Sequence, residues 1–217
     1  MRASFIRVPL AALSAVPAEE IGGGLVATRV PGENRAASVV LCDLSPLPRT
    51  GFKGADTARW LAAQGLNFPE AHNWATTQED GSLVARLSPG EFLLLGRIDG
   101  APTAVERLQS AWSWEAEAGM CFPVPRQDSH AWLYFGGPKS PEAMAKLCGM
   151  DLRPKRFPAG SIAQTSVARL NAIVIAQAGG FYLLADSASA EYFWACLTDA
   201  MAEFGGSTIG AACLGAA

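Results

Sequence analysis

Residues 41–65 of the chain read LCDLSPLPRTGFKGADTARWLAAQG. The apolar run Val39–Leu44 has the length of a short buried strand, and a proline-containing turn separates it from a segment led by glycine. That segment carries small and apolar residues at i, i+3, i+4 and i+7, the spacing of one helix face. These residues are Ala58, Leu61, Ala62 and Gly65. The stretch therefore predicts a strand, a turn and a helix that the last glycine ends.

The residues after this helix predict a hairpin and a second helix. DGSLVARL (80–87) and PGEFLLLG (89–96) each read as a turn followed by a strand. Thr103 and Glu106 then form a T-x-x-E capping box, the signature of a helix start.

The second part of the chain repeats this order. HAWLYFGGP (130–138) reads as a strand with a glycine turn, and Ser140-Pro141 starts a helix. Three β-rich runs follow, and a last helix begins at Ser189. The runs are SIAQTSVARL (161–170), NAIVIAQ (171–177) and GFYLLAD (180–186). Gly54 aligns with Gly137, so we predict an α+β fold of two similar βαββα halves with antiparallel sheets.

The expected domain organisation follows from these repeats. It comprises an N-terminal arm with strands (1–37), a first α+β half (38–112), a linker (113–129), a second α+β half (130–206) and a C-terminal tail (207–217). The tail has small residues and no charge, so it is either frayed or an apolar arm that docks on a partner. The start, MRASFIRVPLAALSAVPAEE (1–20), resembles a signal peptide faintly, and an entry strand or arm is the preferred interpretation.

Composition narrows the possible partners and the compartment. Half of the 217 residues are hydrophobic and 17% are charged, which favours a folded chain over a disordered one. The net charge is −3 with no basic stripe, which argues against nucleic acid and anionic membranes, and no run of 18 apolar residues predicts a membrane span. Five cysteines without a C-x-x-C pair favour reduced thiols in the cytoplasm, and no spacing predicts a metal site.

Few residues suggest chemistry by their pattern alone. His72 and His130 are the only histidines, and both are best interpreted as loop or strand-start residues. Gly22, Gly24 and Ala27 match G-x-G-x-x-A, but the residues that follow read as a strand, so we do not predict a dinucleotide site. Several cations beside predicted strands could bind carboxylates or pair with neighbouring acids. They are Arg49, Lys53, Arg86 and Arg169.

The chain has six tryptophans, and tryptophan is favoured both in cores and at interface centres. Trp60 is next to Leu61 in the chain and therefore lies at the edge of the predicted apolar face of the first helix. Trp60 is therefore a candidate interface residue, and a core position is the alternative.

Several stretches together resemble the gamma subunit of heterotetrameric sarcosine oxidase, over roughly residues 38–206. They are RVPLAAL, FKGADTARWLAAQGL, LVARLSPGEFLLLG, MDLRPKRFPAGSIAQTSVARL and GGFYLLADSASAEYFWACLTDAMAEFGG. The similarity consists of many moderate matches in the right order, without one diagnostic signature. The wider family contains aminomethyltransferase and folate-binding domains, so the resemblance implies their fold.

The resemblance also implies a role. In that family the complex oxidatively demethylates sarcosine to glycine, hydrogen peroxide and a one-carbon unit that passes to tetrahydrofolate. The flavins FAD and FMN, NAD and the folate-binding domain belong to partner subunits, and zinc belongs to the small delta subunit. The gamma subunit is implied to be structural and to pack chiefly against the alpha subunit. No cofactor is expected on this chain.

The matched residues support a non-catalytic chain. Active aminomethyltransferase domains carry acidic residues beside a glycine-led strand, and Ala85 and Arg86 stand in the corresponding strand here. A missing carboxylate removes the group that would stabilise a charged amine intermediate. Glu79 or Asp80 could fill that role only from a turn. We therefore expect no catalytic residue, although the whole complex would be an oxidoreductase.

Two other readings stay open. A stand-alone folate-binding or aminomethyl-transfer protein would use Arg49, Lys53, Glu79 and Arg86 as its binding groups. A related complex could act on dimethylglycine or another N-methyl amine. For a subunit separated from its partners, we also expect exposed apolar surface and self-association.

Overall fold

A computed structural model describes residues 1–11, 18–115 and 118–215 of the chain. The helices within these ranges are α1 (Arg7–Ala11), α2 (Thr57–Ala63), α3 (Ala104–Ala111), α4 (Ser140–Met144), α5 (Ala190–Ala202) and α6 (Ala212–Gly215). A short hairpin precedes the main sheets and consists of β1 (Ala18–Ile21) and β2 (Gly24–Ala27). The turn of this hairpin contains Gly22, so the glycine pattern belongs to a β-hairpin and not to a strand–helix junction.

Two larger sheets form the body of the protein. The first sheet has the strand order β5 (Trp74–Thr77), β6 (Leu83–Ser88), β7 (Glu91–Leu95), β4 (Arg49–Lys53) and β8 (Phe122–Pro123). The second sheet has the order β10 (Ile162–Val167), β11 (Leu170–Gln177), β12 (Gly180–Asp186), β9 (His130–Gly136), β3 (Val40–Asp43) and β13 (Ser207–Thr208). Neighbouring strands are antiparallel except β13, which is parallel to β3.

Three hydrophobic cores define four layers. One core lies between the sheets and includes Leu93 from the first sheet and Trp132 from the second. Helices α2 and α3 pack on the outer face of the first sheet, and α4 and α5 pack on the outer face of the second. The order is therefore helices, sheet, sheet, helices, which confirms the α+β class and the antiparallel sheets.

The strand orders of the two sheets correspond position by position. β5, β6, β7 and β4 of the first sheet match β10, β11, β12 and β9 of the second, and the helices follow the same order. Each unit is therefore βαβββα, with one strand more than the predicted βαββα.

Each sheet is completed by a strand from outside its own unit. β3, which precedes the first unit in the chain, pairs with β9 of the second sheet, and β8 pairs with β4 of the first. The run Val39–Leu44 is thus not the first strand of the first half, and a boundary at residue 38 separates β3 from its own sheet.

The paired glycines show the same correspondence in atomic detail. Gly54 and Gly137 both have positive φ, and a Cβ on either would lie within 2.6 Å of a backbone carbonyl oxygen. Two residues after each glycine, an amide donates to that carbonyl: Asp56 N to Met120 O at 3.0 Å and Lys139 N to Ser38 O at 2.9 Å. These glycines let the exchanged strands lie against the strand-to-helix turns.

The two chain ends pack on the body. Ile6 is fully buried in the outer core of the second sheet, and residues 12–17 of the starting segment lie outside the described ranges. Ile209 and Ala211 are buried in the core between the sheets, where β13 leads into α6. Residues 207–211 of the tail thus pack against the body of this chain.

Candidate interaction surface

Arg49 is a buried structural residue and not a ligand-binding one. It lies in β4 and is fully buried, and each guanidinium nitrogen donates to backbone carbonyl oxygens. The acceptors are the carbonyls of Ser45, Leu47, Arg126, Gln127 and His130. Burial lowers the pKa of Arg49 to about 10, which leaves the guanidinium charged at neutral pH. No donor remains for a folate carboxylate.

The other predicted binding residues do not converge with Arg49. Arg86 faces the helices α2 and α3, on the opposite face of the first sheet from Arg49. Its guanidinium lies over the rings of Phe68 and Phe92 and donates to loop carbonyls, at 3.0 Å for Pro69. Lys53 is exposed and pairs with Glu91 at 2.9 Å. Glu79 is exposed in the β5–β6 turn, so these four residues form no single site.

Strand β6, which the resemblance aligns with the acidic strand of aminomethyltransferases, is apolar on its inner face. Ala85 is fully buried in the core between the sheets, beside residues such as Leu93 and Trp132. This inner position holds a small apolar side chain and no carboxylate. The residues present do not fit a folate site of the kind the resemblance describes.

Trp60, the candidate interface residue, lies in the core beneath α2. Only 6% of Trp60 is exposed, and its ring packs 5.0 Å from the ring of Phe52. The buried face of α2 consists of Thr57, Trp60 and Leu61, whereas Ala62 is exposed. The helical spacing is as predicted, but the buried face is turned by one residue.

An exposed aromatic surface lies instead beside the edge strand β8. Trp114 is 78% exposed, and its ring lies 5.0 Å from that of Trp112 and 6.2 Å from that of Phe122. Met120 and Phe122 are also exposed. We call Trp112, Trp114, Met120 and Phe122 the aromatic patch. Large exposed apolar side chains grouped in this way are typical of protein interfaces.

Hydrogen bonds hold the base of the aromatic patch in place. Trp112 Nε1 donates to Cys121 O at 2.8 Å, and Met120 N donates to a carboxylate oxygen of Asp56, also at 2.8 Å. Phe122 pairs with Lys53 across the β8–β4 ladder. A preorganised surface loses less conformational entropy on binding, so this arrangement favours association.

The edge of β8 differs from its counterpart in the second sheet. There, β13 covers the outer edge of β3, whereas no strand in the described ranges covers the outer edge of β8. An uncovered edge offers backbone groups to another chain. From the sequence, this segment was predicted to be a linker. The feature of the sequence that could have indicated an exposed aromatic surface is the density of aromatic residues near Trp112.

The histidines and cysteines are the remaining candidate residues. His72 is exposed in a loop, and His130 starts β9 and is half-buried. All five cysteines are free thiols. In the described ranges no group of three or more His, Cys, Asp or Glu side chains could hold a metal ion. Among those residues, too, no helix is long and apolar enough to cross a membrane.

The fold first defines a class of protein. The chain superimposes on the glycine cleavage system aminomethyltransferase T from Bartonella henselae with a TM-score of 0.69, over 98% of this chain and 60% of that one. The two sequences are 13% identical, so this likeness concerns the fold. The class is thus the aminomethyltransferase-like fold.

Within that class, the particular relatives are sarcosine oxidase subunits. Subunit gamma of Corynebacterium sp. (strain U-96) is 26% identical over 199 residues, 89% of this chain and 92% of the subunit. Subunit gamma of an Arthrobacter sp. is 26% identical over 180 residues, 80% of this chain and 85% of the subunit. These matches confirm the resemblance found in the sequence.

A solved structure gives the same result. A chain of the heterotetrameric sarcosine oxidase from Corynebacterium sp. U-96, in complex with pyrrole 2-carboxylate, matches with a TM-score of 0.68. The match covers 94% of this chain and 96% of that chain, at 24% identity. No protein-family model matches the chain.

Proposed function

We propose that the chain is the non-catalytic gamma subunit of a heterotetrameric sarcosine-oxidase-type flavoenzyme complex. The observation that carries the proposal is the near full-length similarity to two gamma subunits. The apolar position of Ala85 and the structural use of Arg49 agree with a chain that keeps the fold without its folate chemistry. Its role is then to support the partner subunits.

The partners in this proposal are the large flavoprotein subunits, chiefly the alpha subunit. FAD, FMN, NAD and tetrahydrofolate are bound by the partners and none by this chain. Free thiols throughout the chain support a cytoplasmic complex. In this proposal a partner subunit binds the N-methyl amine, and the names of the related gamma subunits point to sarcosine or a close relative as the substrate of the complex.

The aromatic patch is the surface that we assign to the partner. Trp114, Met120 and Phe122 of the patch are exposed, hydrogen bonds hold its base, and it adjoins an edge of β8 that no strand in the described ranges covers. Aromatic residues including phenylalanine are enriched at interface cores, and tryptophan often carries a large share of the binding energy there. Without the partner, this patch is expected to promote self-association.

Affinity purification of the tagged chain from its native host tests the proposal. Flavoprotein subunits are expected to copurify, and the chain purified alone is expected to show neither flavin absorbance nor sarcosine oxidation. Recovery of the chain without any flavoprotein would contradict the proposal. Oxidation of sarcosine by the chain alone would contradict its non-catalytic role.

A stand-alone folate-binding or aminomethyl-transfer protein is the second candidate, favoured only by the shared fold. Titration with a tetrahydrofolate analogue distinguishes it. Saturable binding or a thermal shift that Arg86→Gln abolishes would favour it. The scattered positions of Arg49, Lys53, Glu79 and Arg86 lead us to expect no thermal shift.

A further inference from the structure

A cavity of about 530 Å³ opens at the margin of the outer core of the second sheet. It lies between the turn that leads into α4, the β11–β12 hairpin and the loop before β10. Its walls are mostly apolar, and none of the described residues that line it is charged. The lining includes Pro138, Pro141, Pro154, Phe157, Ala176 and Phe181. Apolar and aromatic walls of this kind are typical of a small-molecule site.

The two units carry different residues at the floor of this cavity. Arg86 pairs with Phe92 across β6 and β7, and Ala176 pairs with Phe181 across β11 and β12. Both pairs lie on the face of their sheet that packs against the helices. Ala176 therefore stands in the second unit where Arg86 stands in the first.

In the first unit, the guanidinium of Arg86 covers a pair of phenylalanine rings. It lies 5.7 Å from the centre of the Phe68 ring and 5.4 Å from that of Phe92. The second unit has the equivalent ring pair, Phe157 and Phe181, but these rings line the cavity because the side chain of Ala176 ends at Cβ. The cavity thus occupies the space that a flat guanidinium fills in the first unit, and a flat apolar group can pack there against the two rings.

The loop beside the ring pair has opposite charge in the two units. Residues 66–73 of the first unit (LNFPEAHN) contain one acid and neither Lys nor Arg, whereas residues 151–159 of the second (DLRPKRFPA) contain three cations and one acid. Arg153 pairs with Asp151 at 2.6 Å. Lys155 and Arg156 are exposed and take part in none of the ion pairs of the described chain, and Arg156 acts on Asp151 only from a longer distance. The mouth of the cavity therefore repels a second cation and attracts an anion.

We propose that this cavity binds a small molecule with a flat apolar body and one anionic group, such as an aromatic monocarboxylate. The body packs against Phe157 and Phe181, and the anionic group stays at the mouth near Lys155 and Arg156, which lie between two lining residues in the chain. The aromatic patch borders the other sheet, so this site is separate from it and does not rest on the proposed role as a gamma subunit.

Isothermal titration calorimetry of the full chain with 2-naphthoate tests the proposal, at pH 7 and low ionic strength. Neutral 2-naphthamide and cationic 2-naphthamidine have the same ring system and differ in charge. We expect saturable binding that is tightest for the carboxylate and weakest for the amidine. The opposite order, or no saturable binding of 2-naphthoate, would overturn the proposal.

Two variants connect the binding to the cavity. Ala176→Arg gives the second unit the arginine of the first, which fills the cavity, so it should abolish binding of 2-naphthoate. Ala178→Trp narrows the mouth from an exposed position and should weaken binding even if Ala176→Arg does not fold. Ala62→Trp, at an exposed alanine of α2, is the matched control and should bind as wild type. Unchanged binding in both cavity variants would contradict the assignment.

The charges of the loop are tested by the double variant Lys155→Gln, Arg156→Gln. It should raise the Kd of 2-naphthoate by about fivefold, the effect of one or two exposed ion pairs. The double variant Arg59→Gln, Arg97→Gln makes the same change of net charge at exposed arginines outside the cavity and should leave the Kd unchanged. Equal effects of the two double variants would argue against an anion at this mouth.

A side chain of a partner subunit is the other possible occupant of the cavity. In that case Ala178→Trp would weaken the complex with the flavoprotein subunits and 2-naphthoate would not bind, which would overturn the proposal. The variant Trp114→Ser, Phe122→Ser lacks the exposed rings of the aromatic patch and should bind 2-naphthoate as wild type. Loss of binding in this variant would place 2-naphthoate at the aromatic patch instead.

Discussion

At Arg49 a full positive charge is buried and held by backbone carbonyls instead of a carboxylate. These carbonyls come from the β3–β4 connection and from the segment before β9, so one side chain fastens the two sheets together. From the sequence, Arg49 was a candidate ligand-binding cation. Its structural role depends on carbonyls far away in the chain, which no local pattern reveals.

Removing this guanidinium should destabilise the protein strongly. Arg49→Met leaves several buried carbonyls without donors, and we expect a loss of about 3 kcal/mol or more in the free energy of unfolding. Urea unfolding followed by circular dichroism measures it. The control is Arg59→Met, at an exposed arginine, with an expected change of about 0.5 kcal/mol or less. Equal effects of the two substitutions would show that Arg49 is not structural.

His130 should make stability depend on pH. Its folded-state pKa of about 4 lies below its ordinary value of 6.5, because burial and two arginines disfavour the protonated imidazole. As the pH falls, the unfolded chain takes up this proton first, so stability is lost from about pH 6.5 down to about pH 4. Above that window the contribution of the neutral imidazole is fully present.

Urea midpoints at pH 7, 5.5 and 4 check this dependence. The variant His130→Asn should lose the part of the slope between about pH 6.5 and 4, whereas His72→Asn should keep it. Comparison of variants is necessary because carboxylates such as Asp43 also titrate, and burial raises the pKa of Asp43. Identical slopes in all three proteins would contradict the assigned shift.

At the scale of elements, α2 shows what a periodic pattern determines and what it does not. The spacing predicted the helix correctly. Alanines on several sides of the helix left open which side is buried. Tertiary packing determines which of the two faces is buried, because the ring of Trp60 packs against the ring of Phe52. β4 was missed because Arg49, Gly51 and Lys53 hide its pattern, and β5 was missed because it is short.

Two substitutions in α2 test which face is buried. Trp60→Ala is expected to lower the free energy of unfolding by about 3–5 kcal/mol, because it leaves a cavity beside Phe52. Ala62→Lys should change it by about 0.5 kcal/mol or less, because Ala62 is exposed. Chemical denaturation measures both. The opposite ranking would restore the face centred on Leu61 and Ala62.

The exchanged strands make each unit dependent on the other. β3 supplies Leu41, which is fully buried in the outer core of the second sheet, although it comes before the first unit in the chain. The aligned glycines Gly54 and Gly137 were visible in the sequence. The exchange was not visible, because pairing between strands distant in the chain leaves no local signal.

We expect that residues 130–217 do not unfold cooperatively when expressed alone. They lack β3, so β9 has an unpaired edge and the core around Leu133 is open. Addition of a fragment with residues 1–129 should restore a cooperative transition, as followed by thermal circular dichroism. A cooperative transition of the isolated fragment at the temperature of the whole chain would contradict this dependence.

At the scale of the whole molecule, the four layers consist of two similar βαβββα units. The two sheets differ at the edge strand that is added to each of them. The outer edge of β3 is covered by β13, whereas β8 is bordered by exposed aromatic side chains in the described part of the chain. The resemblance predicted both the fold and the role, because it rests on residues throughout the chain. It did not locate the contact surface, which depends on exposure in the folded state.

The aromatic patch is therefore expected to be responsible for assembly. The double variant Trp114→Ser, Phe122→Ser removes its two exposed rings and should change the free energy of unfolding by about 1 kcal/mol or less, as both side chains are solvent-exposed. Tyr192→Ser, at an exposed aromatic residue on α5, is the matched control. Each variant is checked for folding by urea denaturation before its assembly is compared.

Native mass spectrometry of the chain coexpressed with the flavoprotein subunits tests the central claim most directly. For wild type and Tyr192→Ser, we expect a complex that contains this chain. For the Trp114→Ser, Phe122→Ser variant, we expect a weakened complex or a free chain. Absence of any complex with the flavoprotein subunits in the wild type would contradict the proposed role as a structural subunit.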